Sequence, residues 1–214
     1  MKKKETPLQN LSRFLPKGSF PLVAPYFINN TIHLNLTRER KTVLGDYRIP
    51  CKEFPYHRIS ININLNPYSF LITLLHEIAH MQTQIYYADK VAPHGKEWKS
   101  QFRHILMNFI GKGFFPKDVE KALIAYLQNP AASTCTDPLL YKTLYRYDIK
   151  EDNCLLVDDV KVGDYFETME GEVFEKIAQM RTRCKCKHVR TRALYLFHGI
   201  IEVKRTSKKR KKIA

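Results

Sequence analysis

The sequence predicts an α+β fold: a small antiparallel sheet packed on helices, followed by a small all-β, barrel-like domain. Three observations carry this reading. Apolar and polar residues alternate in stretches between Thr31 and Leu65, apolar residues recur at three- and four-residue spacing between Pro67 and Pro130, and short runs broken by Gly or polar residues fill the chain beyond Asp158.

Taken in order, Leu8, Leu11, Phe14 and Leu15 keep a helical spacing that Pro16-Lys17-Gly18 breaks, and a second short helix covers Leu22 to Ile28. Ile32, Leu34 and Leu36 then alternate with His33, Asn35 and Thr37, the mark of a half-buried strand. Leu44-Gly45-Asp46-Tyr47 reads as a turn into a second strand. The clearest strand is His57 to Leu65, where Ile59, Ile61, Ile63 and Leu65 alternate with Ser60, Asn62 and Asn64. Asn66-Pro67 opens a long helix as N-cap and first residue, and that helix should reach Tyr86 or Tyr87. A short loop through Ala92-Pro93-His94-Gly95 leads to a helix from Lys96 to about Phe109, ended by Gly111-Lys112-Gly113. A further helix starts at Pro116 and stops before Pro130.

Residues 129 to 138 have linker composition and mark the expected domain boundary. The organisation that follows is a basic segment and short helix over 1–19, a main domain over 20–130, a linker with a short helix over 131–157, a β domain over 158–204, and a basic tail over 205–214.

Composition narrows the class. The 214 residues carry 36 Lys and Arg against 21 Asp and Glu, a formal charge of +15. Much of the excess sits at the ends, in Lys2 to Lys4 and in Lys204, Arg205, Lys208, Lys209, Arg210, Lys211 and Lys212. Such runs are either solvated tails or a non-specific grip on a polyanion such as DNA. The five cysteines, at 51, 135, 154, 184 and 186, show no framework spacing, which argues for reduced thiols and a cytoplasmic location. No apolar segment follows the basic N-terminus as in a signal peptide, and none is long enough to span a bilayer, so no membrane partner is expected.

The chemistry centres on His76-Glu77-Ile78-Ala79-His80. Residues four apart share a helix face, so the rings of His76 and His80 can converge on one ion. A Zn²⁺ ion takes two neutral imidazoles and a third ligand in tetrahedral array and keeps one position for water. Glu77 sits at the edge of that face, placed to take a proton from the attacking water as general base. His94 is the expected third ligand, because Gly95 lets the loop fold back; Glu97 and Asp89 compete for the place. His33 and His57 read as strand residues, either of which could line a substrate groove, and His104 as a surface or core histidine of the following helix.

His76-Glu77-Ile78-Ala79-His80 followed by Pro93-His94-Gly95-Lys96-Glu97-Trp98 resembles the SprT-like domain, a family of zincin metallopeptidases related to SprT and Spartan. The resemblance covers about residues 20 to 128, including Leu44-Gly45-Asp46-Tyr47-Arg48. It implies a zincin-like fold, one Zn²⁺ held by His76, His80 and His94, and a catalytic Glu77. Its best-understood eukaryotic members, the Spartan proteases, cut proteins crosslinked to DNA. Many members carry paired Cys-x-x-Cys motifs after the protease domain; this chain has only Cys184-x-Cys186.

In the C-terminal part, Arg181, Arg183, Lys185 and Lys187 alternate with Thr182, Cys184, Cys186 and His188, so a strand there has one basic face. That face is either solvated or, with Arg190, Arg192, Lys208, Lys209 and Arg210, a surface that tracks phosphates. Tyr165, Phe166 and Tyr195 are candidates for base stacking or for the core, and Cys184, Cys186 and His188 for a second metal site. The expected function is a zinc endopeptidase acting on proteins near nucleic acid, with a protein substrate and DNA as partners. The alternatives are a non-proteolytic zinc-containing nucleic-acid-binding or transcription-related protein, and a zinc amidase on a small substrate.

Overall fold

A computed structural model describes residues 8–38, 40, 43–130, 137–150 and 153–206. The chain divides into two compact units, Met1–Asp148 and Ile149–Ala214.

In the first unit a 3₁₀ turn, Leu8–Arg13, precedes helix α1 (Phe20–Ile28), and strands β1 (Ile32–Thr37), β2 (Gly45–Arg48) and β3 (His57–Asn62) follow. The sheet order is β1-β3-β2. β2 runs antiparallel to β3, with Tyr47 opposite Ile59, but β1 runs parallel to β3, with Ile32 opposite His57. The expected antiparallel sheet is therefore a mixed one. The stretch between β1 and β3 contains β2, which returns the chain to the starting end, so β3 enters between its two predecessors in the direction of β1. Ile59 and Ile61 point from the central strand into the core.

Helix α2 (Pro67–Tyr87) lies against this sheet. Its start is built as the sequence implies. Asn66 Oδ1 accepts from the backbone N–H groups of Tyr68 and Ser69, and Pro67 costs no hydrogen bond at the first position. Phe70, Leu71, Ile72, Leu74, Leu75, Ile78, Ala79 and Met81 are fully buried, so α2 is surrounded by core on most sides. Helices α3 (Lys96–Met107), α4 (Lys117–Tyr126) and α5 (Pro138–Tyr145) complete the unit. Trp98, Phe102, Ile105 and Leu106 form the buried stripe of α3. The sequence places its domain boundary at 129–138; α5 beyond it puts Leu140 and Leu144 into the first core, and the division by contacts falls after Asp148.

The second unit is one six-stranded antiparallel sheet of β4 (Cys154–Leu156), β5 (Tyr165–Glu167), β6 (Val173–Gln179), β7 (Arg183–His188), β8 (Leu194–His198) and β9 (Glu202–Arg205), in the order β4-β9-β5-β6-β7-β8. The expected barrel does not close: among the described residues β4 and β8 remain edges. β4 has three residues and pairs only with β9, which leaves it no second ladder to offer β8. Val157, Val160, Phe166, Phe174, Cys184, Cys186 and Val203 make a small core. Lys176 is 2% exposed within it, its ammonium donating to the carbonyls of Val157 (2.9 Å) and Asp158 (3.1 Å).

Candidate metal centre

Two helices and one loop assemble the site. His76 and His80 project from one face of α2, as a four-residue spacing requires. His94 comes from the turn before α3, where the Gly95 N–H donates to the Ala92 carbonyl at 2.9 Å. His94 itself has φ +57°, a left-handed conformation that costs a non-glycine residue about 1 kcal/mol. Strain of this kind persists where surrounding structure imposes it, commonly at functional sites.

The three Nε2 atoms form a triangle with edges of 3.3 Å (His76 to His80), 3.2 Å (His76 to His94) and 2.8 Å (His80 to His94). Tetrahedral Zn–N bonds of about 2.0–2.1 Å put ligand nitrogens roughly 3.4 Å apart. The triangle fits that set with small adjustments, and among the described residues this is the one group that could hold a metal ion. The electrostatics agree. Burial, reinforced by the neighbouring rings of His80 and His94, holds the His76 pKa down to about 2. Burial and His94 hold His80 down to about 4, and burial lowers His94. All three rings are thus neutral and ligand-ready at physiological pH. The buried Nδ1 of His76 finds no partner among the described residues, so the usual outer acceptor for a metal-bound imidazole is missing there.

Trp98 floors the site. Its ring lies 4.6 Å from that of His76, 5.2 Å from His80 and 4.7 Å from His94, and stacks on Phe102 at 5.1 Å. Trp98 belongs to the apolar stripe of α3, which was the available signal for this packing.

Glu77 is 5% exposed. Its carboxyl is pushed up to about 8, first by burial and next by Asp46, with Arg40 opposing. It lies against β2: a Cβ on Gly45 would come within 2.6 Å of both Glu77 Oε1 and Thr73 Cγ2. Two residues along, Tyr47 projects to the same side of the strand and lays its ring parallel to that of His80, 6.5 Å away. The Tyr47 hydroxyl and His57 Nδ1 share a hydrogen bond of 2.9 Å. Sequence reasoning read His57 as a strand residue that could line a groove and did not single out Tyr47, since only the strand register pairs the two.

The competing ligands lie elsewhere. Asp89 accepts from the Gln84 amide at 3.3 Å, and Glu97 lies 3.8 Å from the Lys96 ammonium. His33 stacks on Tyr56, and His104 is exposed on α3.

Residues 23–118 match the model of the SprT-like family. This segment is a SprT-like domain. The family is associated with zincin-like metallopeptidases, and the match contains His76, Glu77, His80 and His94. No curated protein and no solved structure matches the chain. The SprT-like domain runs from within α1 to the first turn of α4, and so holds the whole of the small sheet, α2 and α3.

Beyond the SprT-like domain, β7 turns Cys184, Cys186 and His188 inward and Arg183, Lys185 and Lys187 outward. The three inward residues do not form a metal site. Cys184 Sγ lies 3.1 Å from Asp158 Oδ1, while His188 is bonded to Glu172 (2.6 Å) and Thr191 (2.8 Å). Phe166 is core, and Tyr195 packs on Phe174 at 5.3 Å. Arg181 precedes β7; Arg190 and Arg192 lie in the turn after it, Arg190 at 3.5 Å from Glu172. Lys208, Lys209 and Arg210 lie outside the described residues. No helix among the described residues is long and apolar enough to cross a membrane.

Proposed function

We propose that this chain is a zinc-dependent endopeptidase acting on proteins. The observation that carries the proposal is the convergence of three neutral Nε2 atoms, from His76, His80 and His94, beside a buried carboxylate that stands outside the triangle. His76, His80 and His94 would hold the Zn²⁺, which supplies Lewis acidity to the scissile carbonyl and the attacking water. Glu77 takes the proton of that water and delivers it to the departing amine. The absence of a side chain at Gly45 leaves room for the Glu77 carboxylate. Trp98 and Tyr47 flank the imidazoles and hold the ring planes.

The test is Glu77→Gln. The variant keeps zinc, measured by metal analysis of the purified protein, while hydrolysis of a protein substrate falls by about 10² to 10⁴. Full activity in that variant would remove the mechanism.

Association with nucleic acid is a further part of the proposal, supported by the +15 charge and the run Lys204 to Lys212. Binding to a DNA duplex should weaken linearly on a log–log plot against salt, and a chain truncated after Thr206 should show a shallower slope. An unchanged slope would take the tail out of the contact.

A further inference from the structure

The second unit leaves an edge strand that soluble proteins seldom leave bare. Among the described residues β8 is the last strand of its sheet and pairs with no strand but β7. Its sequence, Leu-Tyr-Leu-Phe-His, contains no charge at neutral His and no proline. Leu194, Tyr195 and Leu196 are 57%, 48% and 55% exposed. Edges are ordinarily blunted by lysine, proline, a bulge or a covering element, because unpaired N–H and C=O groups template another strand. β8 itself has no lysine, no proline and no bulge, and its apolar side chains enlarge the attraction.

The surroundings define what fits. Residues 181 to 198 contain six Lys or Arg and no Asp or Glu. Register sets those charges in rows. Lys187 lies opposite Leu194, Lys185 opposite Leu196 and Arg183 opposite His198, each pair on one face of the sheet. That face therefore presents a basic row on β7, a leucine-bearing row on β8, and then an open backbone ladder.

We propose that the free edge of β8 takes an extended, acidic polypeptide segment with alternating apolar residues, as a seventh strand of the sheet. Such a segment answers this register: its backbone pairs with β8, its carboxylates fall on the face of Arg183, Lys185 and Lys187, and its apolar side chains fall on the other face beside Tyr195 and Phe197. A nucleic-acid strand answers only the basic row, because phosphates cannot donate to the β8 carbonyls and leucine offers no stacking face. A second copy answers the ladder and the leucines but brings another +15 charge to the contact. The inference is independent of the metal centre and stands or falls without it.

The experiment uses the full chain and a fluorescent peptide of alternating glutamate and leucine, followed by anisotropy and by amide hydrogen exchange. The expected result is salt-sensitive binding with new protection at residues 194–198. Leu196→Glu, at an exposed position, should weaken binding about tenfold while leaving the circular dichroism of the chain unchanged. The same peptide N-methylated at alternate residues should lose binding, which tests the ladder from the ligand side. The proposal is overturned by equal binding of the N-methylated peptide, by no gain of protection in β8, by oligothymidylate giving the same protection, or by a doubled mass with β8 protected in the absence of peptide.

Discussion

Gly45 shows how much of the site hangs on an atom that is missing. The strand residue nearest Glu77 has no side chain, and a methyl group there would overlap Glu77 Oε1 and Thr73 Cγ2 at 2.6 Å. Neither neighbour is free to retreat, because both are buried in the middle of α2. Gly45→Ala should therefore displace the Glu77 carboxylate or push β2 off the helix. Overpacking of this sort costs about 1–3 kcal/mol. The expected outcome is a lower melting temperature with zinc content retained and peptidase activity reduced more than tenfold, roughly the cost of a misplaced general base. Activity at the parent level, with stability unchanged, would show that β2 yields and that Glu77 is not set by it. Residue-level chemistry was the part of this protein most open to reading. The motif spacing put His76 and His80 on one face, and the turn at His94-Gly95 pointed to the loop that returns. Trp98 beneath the imidazoles and Tyr47 beside His80 were hidden, because the first depends on which way α3 rolls and the second on strand register.

At the scale of elements, α2 was legible because its signals are local. Asn66 caps it, Pro67 starts it, and apolar residues keep the helical period for its whole length. The structure adds a long-range use for the cap. The Asn66 amide donates to the Leu144 carbonyl at 3.1 Å and to Asp148 Oδ1 at 2.6 Å, joining the start of α2, the helix of His76 and His80, to the end of α5. Asn66→Ala should cost about 2–3 kcal/mol, the loss of a cap plus a buried hydrogen bond to a charged group. Thermal or urea unfolding measures this, and a loss no larger than a few tenths of a kcal/mol would mean the α5 contact contributes nothing. Strand pairing was less legible for the opposite reason. Alternation in 32–37 and 57–65 identifies strands but carries no information on partner or direction, so the parallel β1–β3 pair had no local signature. The second unit's short strands likewise predict a curled sheet, while closure depends on whether its two end strands meet, and three-residue β4 is too short to supply the missing ladder.

For the molecule as a whole, the three imidazoles and the basic sheet belong to different compact units, and this makes their stabilities separable. The three imidazoles bind the middle of α2 to the turn before α3, two segments of one core. A cation held there stabilises the folded first unit by mass action, about 4 kcal/mol when free metal is a thousandfold above its dissociation constant. Without it, three lone pairs face one another across about 3 Å, and the left-handed His94 has less to hold it in place. Chelation should then lower the melting temperature of the first unit and speed hydrogen exchange in the turn around His94. Strands β6 and β7, whose core of Phe166, Phe174, Cys184, Cys186 and Val203 contains no metal ligand, should keep their protection. Exchange followed with and without a chelator distinguishes the two responses. Uniform loss across both units would mean that they unfold as one cooperative body. No change at His94 would mean that the triangle of nitrogens is held by packing alone, and that the cation takes no part in maintaining the fold.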